Sequence, residues 1–480
     1  MPSDEHAHDN TTTENEPRTL RRTPLPKLQL FILVLIQFAE PITAIVIYPF
    51  IVEFVRSTGI TGGDESQTGY YAGMIESIFF LAECLTVVQF GRASDKYGRR
   101  PVLLLAPFGL AISMLGFGLS TKFWSLVVFR CLQGAFNGNI GVSKSVMAEI
   151  SDSTNIAQIY AFMPLMWTVG GTMAPFIGGT FANAETRFPD TLGRIQLLRD
   201  HPYFLPCLIA GCIAFSGFAV GVFGLKETLR SAIRRNRAEE QGTEREPLLA
   251  PHSPAEEIPP LRALFIRPVF IALINHGFLA FIGMAFDVLI PLVYATPIEL
   301  GGLGLAPHHI GRILATFGLL NACIQLLVAA RAINYFGART VFIANFASLT
   351  ATFLAYPLLN YFARRAGGVD GWVAAVIVVQ LSTGFFLSTT WACTQLFLVN
   401  AAPTPNSLGG VNGLGQMVSS VNRSLAPFIA SSLFAFSSTK EGWAARNGVY
   451  WILAACGVVA VGAATRLPRK WIPEQQKSEL

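Results

Sequence analysis

The chain has 480 residues, of which 52% are apolar and 14% charged, with a net charge of +5; soluble domains carry about a quarter charged residues. Pro101–Thr121, Tyr203–Leu225, Val341–Ala363, Trp372–Ala402 and Asn447–Thr465 contain no Asp, Glu, Lys or Arg, and each is long enough to cross a hydrocarbon core of about 30 Å as a helix. This excludes a cytosolic enzyme, a collagen and a wholly disordered chain, and the continuous runs exclude a β-barrel.

A polytopic α-helical membrane protein is left. Met1–Thr23 is polar and has no apolar signal-peptide core, so residues 1–27 are expected to be a disordered cytosolic tail. Asn10-Thr-Thr matches a glycosylation acceptor, but a cytosolic tail is not glycosylated. Hydropathy and breaks predict twelve spans, near 28–53, 70–91, 101–120, 123–148, 157–182, 203–225, 265–295, 309–331, 340–362, 371–400, 408–436 and 446–466. They fall into two six-helix bundles, 28–225 and 263–466. Between them lies the Pro-rich, charged stretch 226–262, read as a flexible cytosolic linker, and 467–480 is read as a second cytosolic tail.

Lys and Arg set the orientation. With the N-terminus inside, inside segments hold 22 and outside segments 9, so both termini are expected in the cytosol. The charge is topological; nucleic-acid binding is not expected. All seven cysteines (Cys84, Cys131, Cys207, Cys212, Cys323, Cys393, Cys456) lie in apolar runs and read as small buried packing residues.

Two internal echoes support the two halves. Asp95-Lys-Tyr-Gly98-Arg-Arg100 follows the second span, and Asn334-Tyr-Phe-Gly337-Ala-Arg339 follows the eighth. Ala174-Pro-Phe-Ile177 in span five recurs as Ala426-Pro-Phe-Ile429 in span eleven. Parallel repeats of this kind are one transporter plan, with the binding site at the midplane between halves.

Gly91-Arg-Ala-Ser-Asp95-Lys-Tyr-Gly98-Arg99-Arg100 resembles the loop signature of the major facilitator superfamily, in the place that family has it. Arg130-Cys-Leu-Gln133-Gly134 resembles its fourth-span motif. Gly170, Gly171, Ala174, Pro175, Gly178 and Gly179 resemble the fifth-span motif of its antiporters. Ala39-Glu40-Pro41, Asn137-Gly-Asn139-Ile-Gly141 with Glu149, and Ala285-Phe-Asp287 with Gly301-Gly-Leu-Gly304 are similar to the zinc-induced-facilitator-like and fungal drug:proton antiporter branch. One departure counts against a metal substrate: the linker holds a single histidine, His252, and no Cys-Pro-Gly-Cys element. The resemblance implies an all-α fold of twelve helices in two pseudo-symmetric halves. It also implies that the loop of Gly91, Asp95, Gly98, Arg99 and Arg100 latches neighbouring helices in one access state.

The residues themselves indicate what chemistry is available. Gly98 permits a tight turn, and a carboxylate at Asp95 can accept from helix N-termini or pair with Arg. Gly170, Ala174 and Gly178 form a smooth stripe for close helix approach, and Pro175 can bend its helix. Charges inside spans are expensive and face cavities. Glu40 and Asp287 occupy corresponding places in spans one and seven and lead as proton or cation-recognition acids, because an acid in a low-dielectric cavity can load and release a proton. Arg130 is the partner that senses their charge, and Glu83 is held in reserve. Glu76 and Glu83 share a helix face, as do Arg130 and Lys144; Arg423 is the lone cation of span eleven. A permanent structural ion pair is the ordinary alternative for each. Glu53, Glu149 and Arg312 lie near span ends and can snorkel. His276 is the only intramembrane histidine and can titrate or sit neutral. The 37 Phe residues, among them Phe278, Phe281, Phe286, Phe385 and Phe386, are mostly lipid-facing bulk, yet an aromatic cavity suits a hydrophobic or cationic substrate.

There is no P-loop, no metal cluster and no nucleophile triad, so no cofactor and no enzymatic activity are expected. The expectation is a monomeric secondary transporter in a lipid bilayer, exporting a small organic molecule in exchange for protons, at the plasma rather than the vacuolar membrane. The alternatives are a proton symporter or vacuolar zinc/organic-cation facilitator of the same fold, and a non-transporting membrane sensor.

Overall fold

The computed structural model describes residues 24–151, 156–229, 232–233, 266–385, 387–403 and 407–468. Met1–Thr23, most of the linker, Phe386 and residues 469–480 lie outside it, with the expectations attached to Asn10 and His252. Among the described residues every regular element is helical.

The helices form twelve spans, close to the predicted ones. α1 (Lys27–Ile45) resumes as a short helix, Ile51–Ser57, after a break at Pro49, which has no N–H to donate. α2 is Thr68–Tyr97 and α3 is Arg99–Gly118. α4 runs Phe123–Phe136, passes through a 3-10 turn at Asn137–Asn139, and continues as Ile140–Glu149. α5 is Ile156–Phe181 and α6 is Phe204–Gly224. In the second half α7 is Arg267–Ala295. α8 runs Pro307–Ile324 and reaches Ala330–Phe336 through a π turn at Gln325–Ala329. α9 is Ala338–Ala366, and α10 comprises Gly371–Gly384 and Leu387–Ala401. α11 is Leu408–Ser438 and α12 is Gly448–Ala464. Eight of these, α1–α3 and α6–α10, are each long and apolar enough to cross a membrane.

Within the first half α1 packs on α5 and α6, α2 on α4, and α3 on α6 and α4; in the second, α7 packs on α10, α11 and α12, and α9 on α10 and α12. The halves meet through two crossed pairs, α2 on α11 and α5 on α8. Exchanging the halves turns one pair into the other.

Small residues make the crossing possible, as expected where lipid removes the hydrophobic drive between helices. A Cβ on Gly73 of α2 would stand 2.7 Å from the Pro427 carbonyl oxygen of α11. A Cβ on Gly311 of α8 would stand 2.5 Å from the Pro175 carbonyl oxygen of α5. The repeated Ala-Pro-Phe-Ile thus performs the same task twice. In each half it sets a proline carbonyl against a glycine of the opposite half.

The seam is packed where α2 begins: Gly69 lies beside Leu292 and Phe434, and Tyr70 rests edge-on against Phe428 at 5.5 Å. Toward the α2–α3 and α8–α9 turns the helices part. A Cβ on Gly91 or on Gly413 would have nothing from another element within 4 Å among the described residues.

Two expectations change. The first linker residues, 226–229, are fastened to the first bundle rather than loose. Of the seven free cysteines only Cys207 and Cys393 are fully buried, while Cys212 and Cys323 are exposed, because their helices turn that face outward.

Candidate functional site

The polar residues of the span interiors gather where α1, α2, α4, α7 and α11 converge. The first cluster is an ion pair. Arg130 on α4 is fully buried, and its Nη2 donates to Glu76 Oε2 on α2 at 2.9 Å and to the Ala44 carbonyl at 3.0 Å. Its Nη1 donates to Gln133 at 2.8 Å, and its guanidinium lies over the Phe79 ring at 4.4 Å. Arg130 therefore touches α1 one turn beyond Glu40, and its acid partner is Glu76, not Glu40. Along the chain Glu76 is marked only by sharing a helix face with Glu83.

The second cluster joins two acids through one amide. Asn137 Nδ2 donates to Glu40 Oε1 at 3.2 Å and to Glu83 Oε2 at 3.1 Å. Both carboxylates are buried, and their other oxygens, Glu40 Oε2 and Glu83 Oε1, have no partner among the described residues. The 3-10 turn of α4 places the amide: Asn137 begins it, and Gly138 beside it allows α4 to lie against Thr86 and Val87 of α2. A tight turn inside a long helix frequently marks a functional hinge. Lys144, further along α4, and Arg423 of α11 lie within electrostatic reach of both acids.

Asp287 is placed differently from its counterpart Glu40. It sits mid-helix in α7, where Ala285, Phe286, Val288 and Leu289 are all buried, yet it is itself exposed. An exposed side chain in that setting faces the space between the halves. It makes no hydrogen bond or ion pair among the described residues. Met284 and Val288 flank it in an apolar cluster with Phe79, Phe80 and Ala426, against which Tyr48 and Phe281 pack. Arg423 is held across the seam by rings of the first half, Phe80 at 4.2 Å and Trp167 at 5.7 Å, and its field reaches Asp287. His276 is buried against Trp391, ring centroids 5.4 Å apart.

The remaining expected residues are positional. Gly98 turns α2 into α3 with φ 112°, and Gly337 turns α8 into α9 with φ 81°, angles that disfavour any residue with a Cβ. Arg100 Nη2 donates to the Val222 carbonyl of α6 at 2.6 Å, and Arg339 Nη2 to the Thr465 carbonyl past α12 at 2.5 Å. Each echo thus ties a turn to the last helix of its own half. Asp95 is exposed and pairs with Arg99 one turn on, at 2.6 Å; among the described residues it caps no helix. Arg99 also meets Glu149 at 3.0 Å, so Glu149 is pinned rather than snorkelling. A Cβ on Gly91 would meet no other element among the described residues. On α5, a Cβ on Gly170 would meet Pro41 at 2.5 Å and one on Gly178 the Val46 carbonyl at 2.0 Å, with Ala174 fully buried between them. The stripe therefore faces α1, while Gly179 turns to α8 and Gly171 makes only loose contact with Ile45.

The sequence model of the Major Facilitator Superfamily matches residues 33–427. The chain belongs to that superfamily. Its relatives in the superfamily include the major facilitator-type transporter psiT2 of Psilocybe cyanescens, 31% identical over 90% of this chain and 88% of the relative. The multidrug transporter mfsB of Aspergillus fumigatus is 28% identical over 91% and 82%. ZINC INDUCED FACILITATOR-LIKE 1 of Arabidopsis thaliana is 25% identical over 95% and 94%. A solved D-xylose–proton symporter superposes with a TM-score of 0.68 at 16% identity, covering 94% of this chain and 98% of that one, which establishes the shared fold. This superfamily member is a multi-pass integral membrane transporter of small molecules and not an enzyme.

Asn137, Glu76 and Glu149 carry site contacts that sequence reasoning did not assign. Asn137 had a signal in the Asn-Gly-Asn-Ile-Gly run, which breaks a helix. Glu76 had only its spacing from Glu83.

Proposed function

We propose that this transporter exports small organic molecules, cations among them, in exchange for protons. The observation that carries the proposal is the Asn137 amide shared by the Glu40 and Glu83 carboxylates, each with one buried oxygen lacking a donor. Two acids so placed have room for a proton that either can hold. The charge count points the same way. Arg130 and Glu76 cancel. Glu40, Glu83 and Asp287 then face Lys144 and Arg423, leaving one negative charge in excess with histidine neutral. A proton on the Glu40–Glu83 pair removes that excess, and so does an organic cation at Asp287. Each therefore weakens the hold on the other, which is the reciprocity exchange requires.

The names of the relatives, a multidrug transporter and a zinc-induced-facilitator-like protein, favour a drug or secondary metabolite first and a vacuolar zinc or organic-cation facilitator second. A zinc substrate needs ligating groups, and among the described residues no three His, Cys, Asp or Glu side chains group closely enough to hold a metal ion. The excess of Lys and Arg on one side, 22 against 9, supports cytosolic termini. The parted end of the seam then faces the cytosol. A monomer in the plasma membrane completes the proposal.

The test is flux of ethidium, a permanently charged organic cation, into vesicles with an acid interior. Glu40→Gln and Asp287→Asn should each abolish accumulation while the purified protein keeps its melting temperature. If both variants accumulate ethidium as the wild type does, the assignment of these acids is wrong.

A further inference from the structure

The turn between α2 and α3 is held by a residue from beyond the first bundle. Glu227, two residues past Leu225, directs its carboxylate at the start of α3. Oε1 accepts from the backbone N–H of Arg99 at 2.9 Å, and Oε2 from that of Arg100 at 3.0 Å. The same Oε1 also accepts from the N–H groups of Thr228 and Leu229 at 3.0 and 2.9 Å, so four backbone donors close on one carboxylate. The first N–H groups of a helix have no partner within it, and the helix dipole favours a negative charge there.

The neighbours of Glu227 are fastened too. Gln29 of α1 accepts from the Lys226 N–H at 2.9 Å and donates to the Gly224 carbonyl at 2.8 Å. The Thr228 hydroxyl donates to Glu149 at 2.5 Å, and Glu149 in turn holds Arg99. A Cβ on Gly98 would lie 2.5 Å from Glu227 Oε2, so the glycine makes room for the carboxylate as well as for the turn. The second half lacks this arrangement among its described residues: Gly337 has open space where Gly98 has Glu227.

We propose that the start of the linker, residues 226–229, is a strap and that Glu227 is a positioning residue for the gating turn. It fixes the first turn of α3 and thereby the Arg99 side chain that bridges Asp95 and Glu149. The inference rests on the reading that the α2–α3 turn gates access.

The experiment combines amide hydrogen exchange over residues 98–101 with ethidium flux per folded molecule, for wild type, Glu227→Gln, Glu227→Asp and Asp95→Asn. Loss of a helix cap of this kind is worth about a tenfold change. Glu227→Gln should speed exchange at Arg99 and Arg100 and cut turnover by about tenfold with KM unchanged, and Glu227→Asp should recover part of both. Unchanged exchange in Glu227→Gln overturns the strap. Faster exchange with unchanged turnover overturns its part in gating and leaves Glu227 merely structural. If instead Asp95→Asn transports normally, the gating reading itself fails, whatever Glu227 does. Should Glu227→Gln not fold, Glu227→Asp carries the same comparison.

Discussion

Arg130 and Glu76 place opposite charges 2.9 Å apart with almost no exposure to water. Removing one partner strands the other charge, and such losses cost about 3–5 kcal/mol. Glu76→Gln should therefore lower the melting temperature sharply, and the double variant Glu76→Gln, Arg130→Gln should recover much of it; equal damage in single and double variants would break the pair assignment. Asn137→Ala has a different expected effect, because it takes away the amide that joins Glu40 to Glu83. Proton-driven flux should fall while the folded fraction holds, which a melting curve beside a flux assay measures. Arg130, Glu40, Glu83 and Asp287 were all legible in the sequence, since a charge inside an apolar run stands out. Their partners were not. Spacing along one helix says which residues share a face, but not which neighbouring helix that face meets, so Glu76 was grouped with Glu83 while it binds Arg130. Nor could spacing separate Glu40 from Asp287: one is sealed behind Asn137, and the other opens on the space between the halves.

At the level of elements, the seam depends on two glycines. Gly73 and Gly311 let α2 meet α11 and α8 meet α5, each beside a proline carbonyl. Alanine at either would collide with the opposite backbone, and overpacking of this sort costs about 1–3 kcal/mol. That cost falls only on the state in which this end of the seam is shut. Gly311→Ala should therefore shift the protein toward the opposite access state. A Met417→Cys reporter, exposed on α11 toward the parted end, should then react more slowly with a membrane-impermeant maleimide applied from that side; an unchanged rate would mean the seam does not move. The echoes that suggested two halves proved to mark structural tasks, the Ala-Pro-Phe-Ile at the seam and the Gly-x-Arg turns on α6 and α12. The strap at Glu227 had no comparable signal, because a glutamate in a charged linker is indistinguishable from its solvated neighbours until the chain is folded. The same limit explains Asp95: the signature placed it in the turn, but its contact with Arg99 lies within the turn, and the helix cap comes from elsewhere.

The whole molecule is two six-helix bundles that touch firmly at one end and part at the other, with the midplane charges between them. The scarcity of charge along the chain made the membrane class and the number of spans readable, since crossing a bilayer imposes length and apolarity on every helix. The substrate was not readable, because its recognition depends on which side chains of different helices face a common space. Alternating access with exchange requires that the excess negative charge of this space be met by a proton or by a cation in turn. Swapping one monovalent cation for one proton moves no net charge, so an imposed membrane potential should leave ethidium flux unchanged at fixed pH difference; flux that follows the potential would exclude a one-for-one exchange. The most direct measurement is ethidium accumulation by the purified wild-type protein in vesicles, with the pH difference set in each direction and then abolished. Proton antiport predicts accumulation on the acid side only and none without a pH difference, whereas accumulation indifferent to pH, or toward the alkaline side, would contradict it.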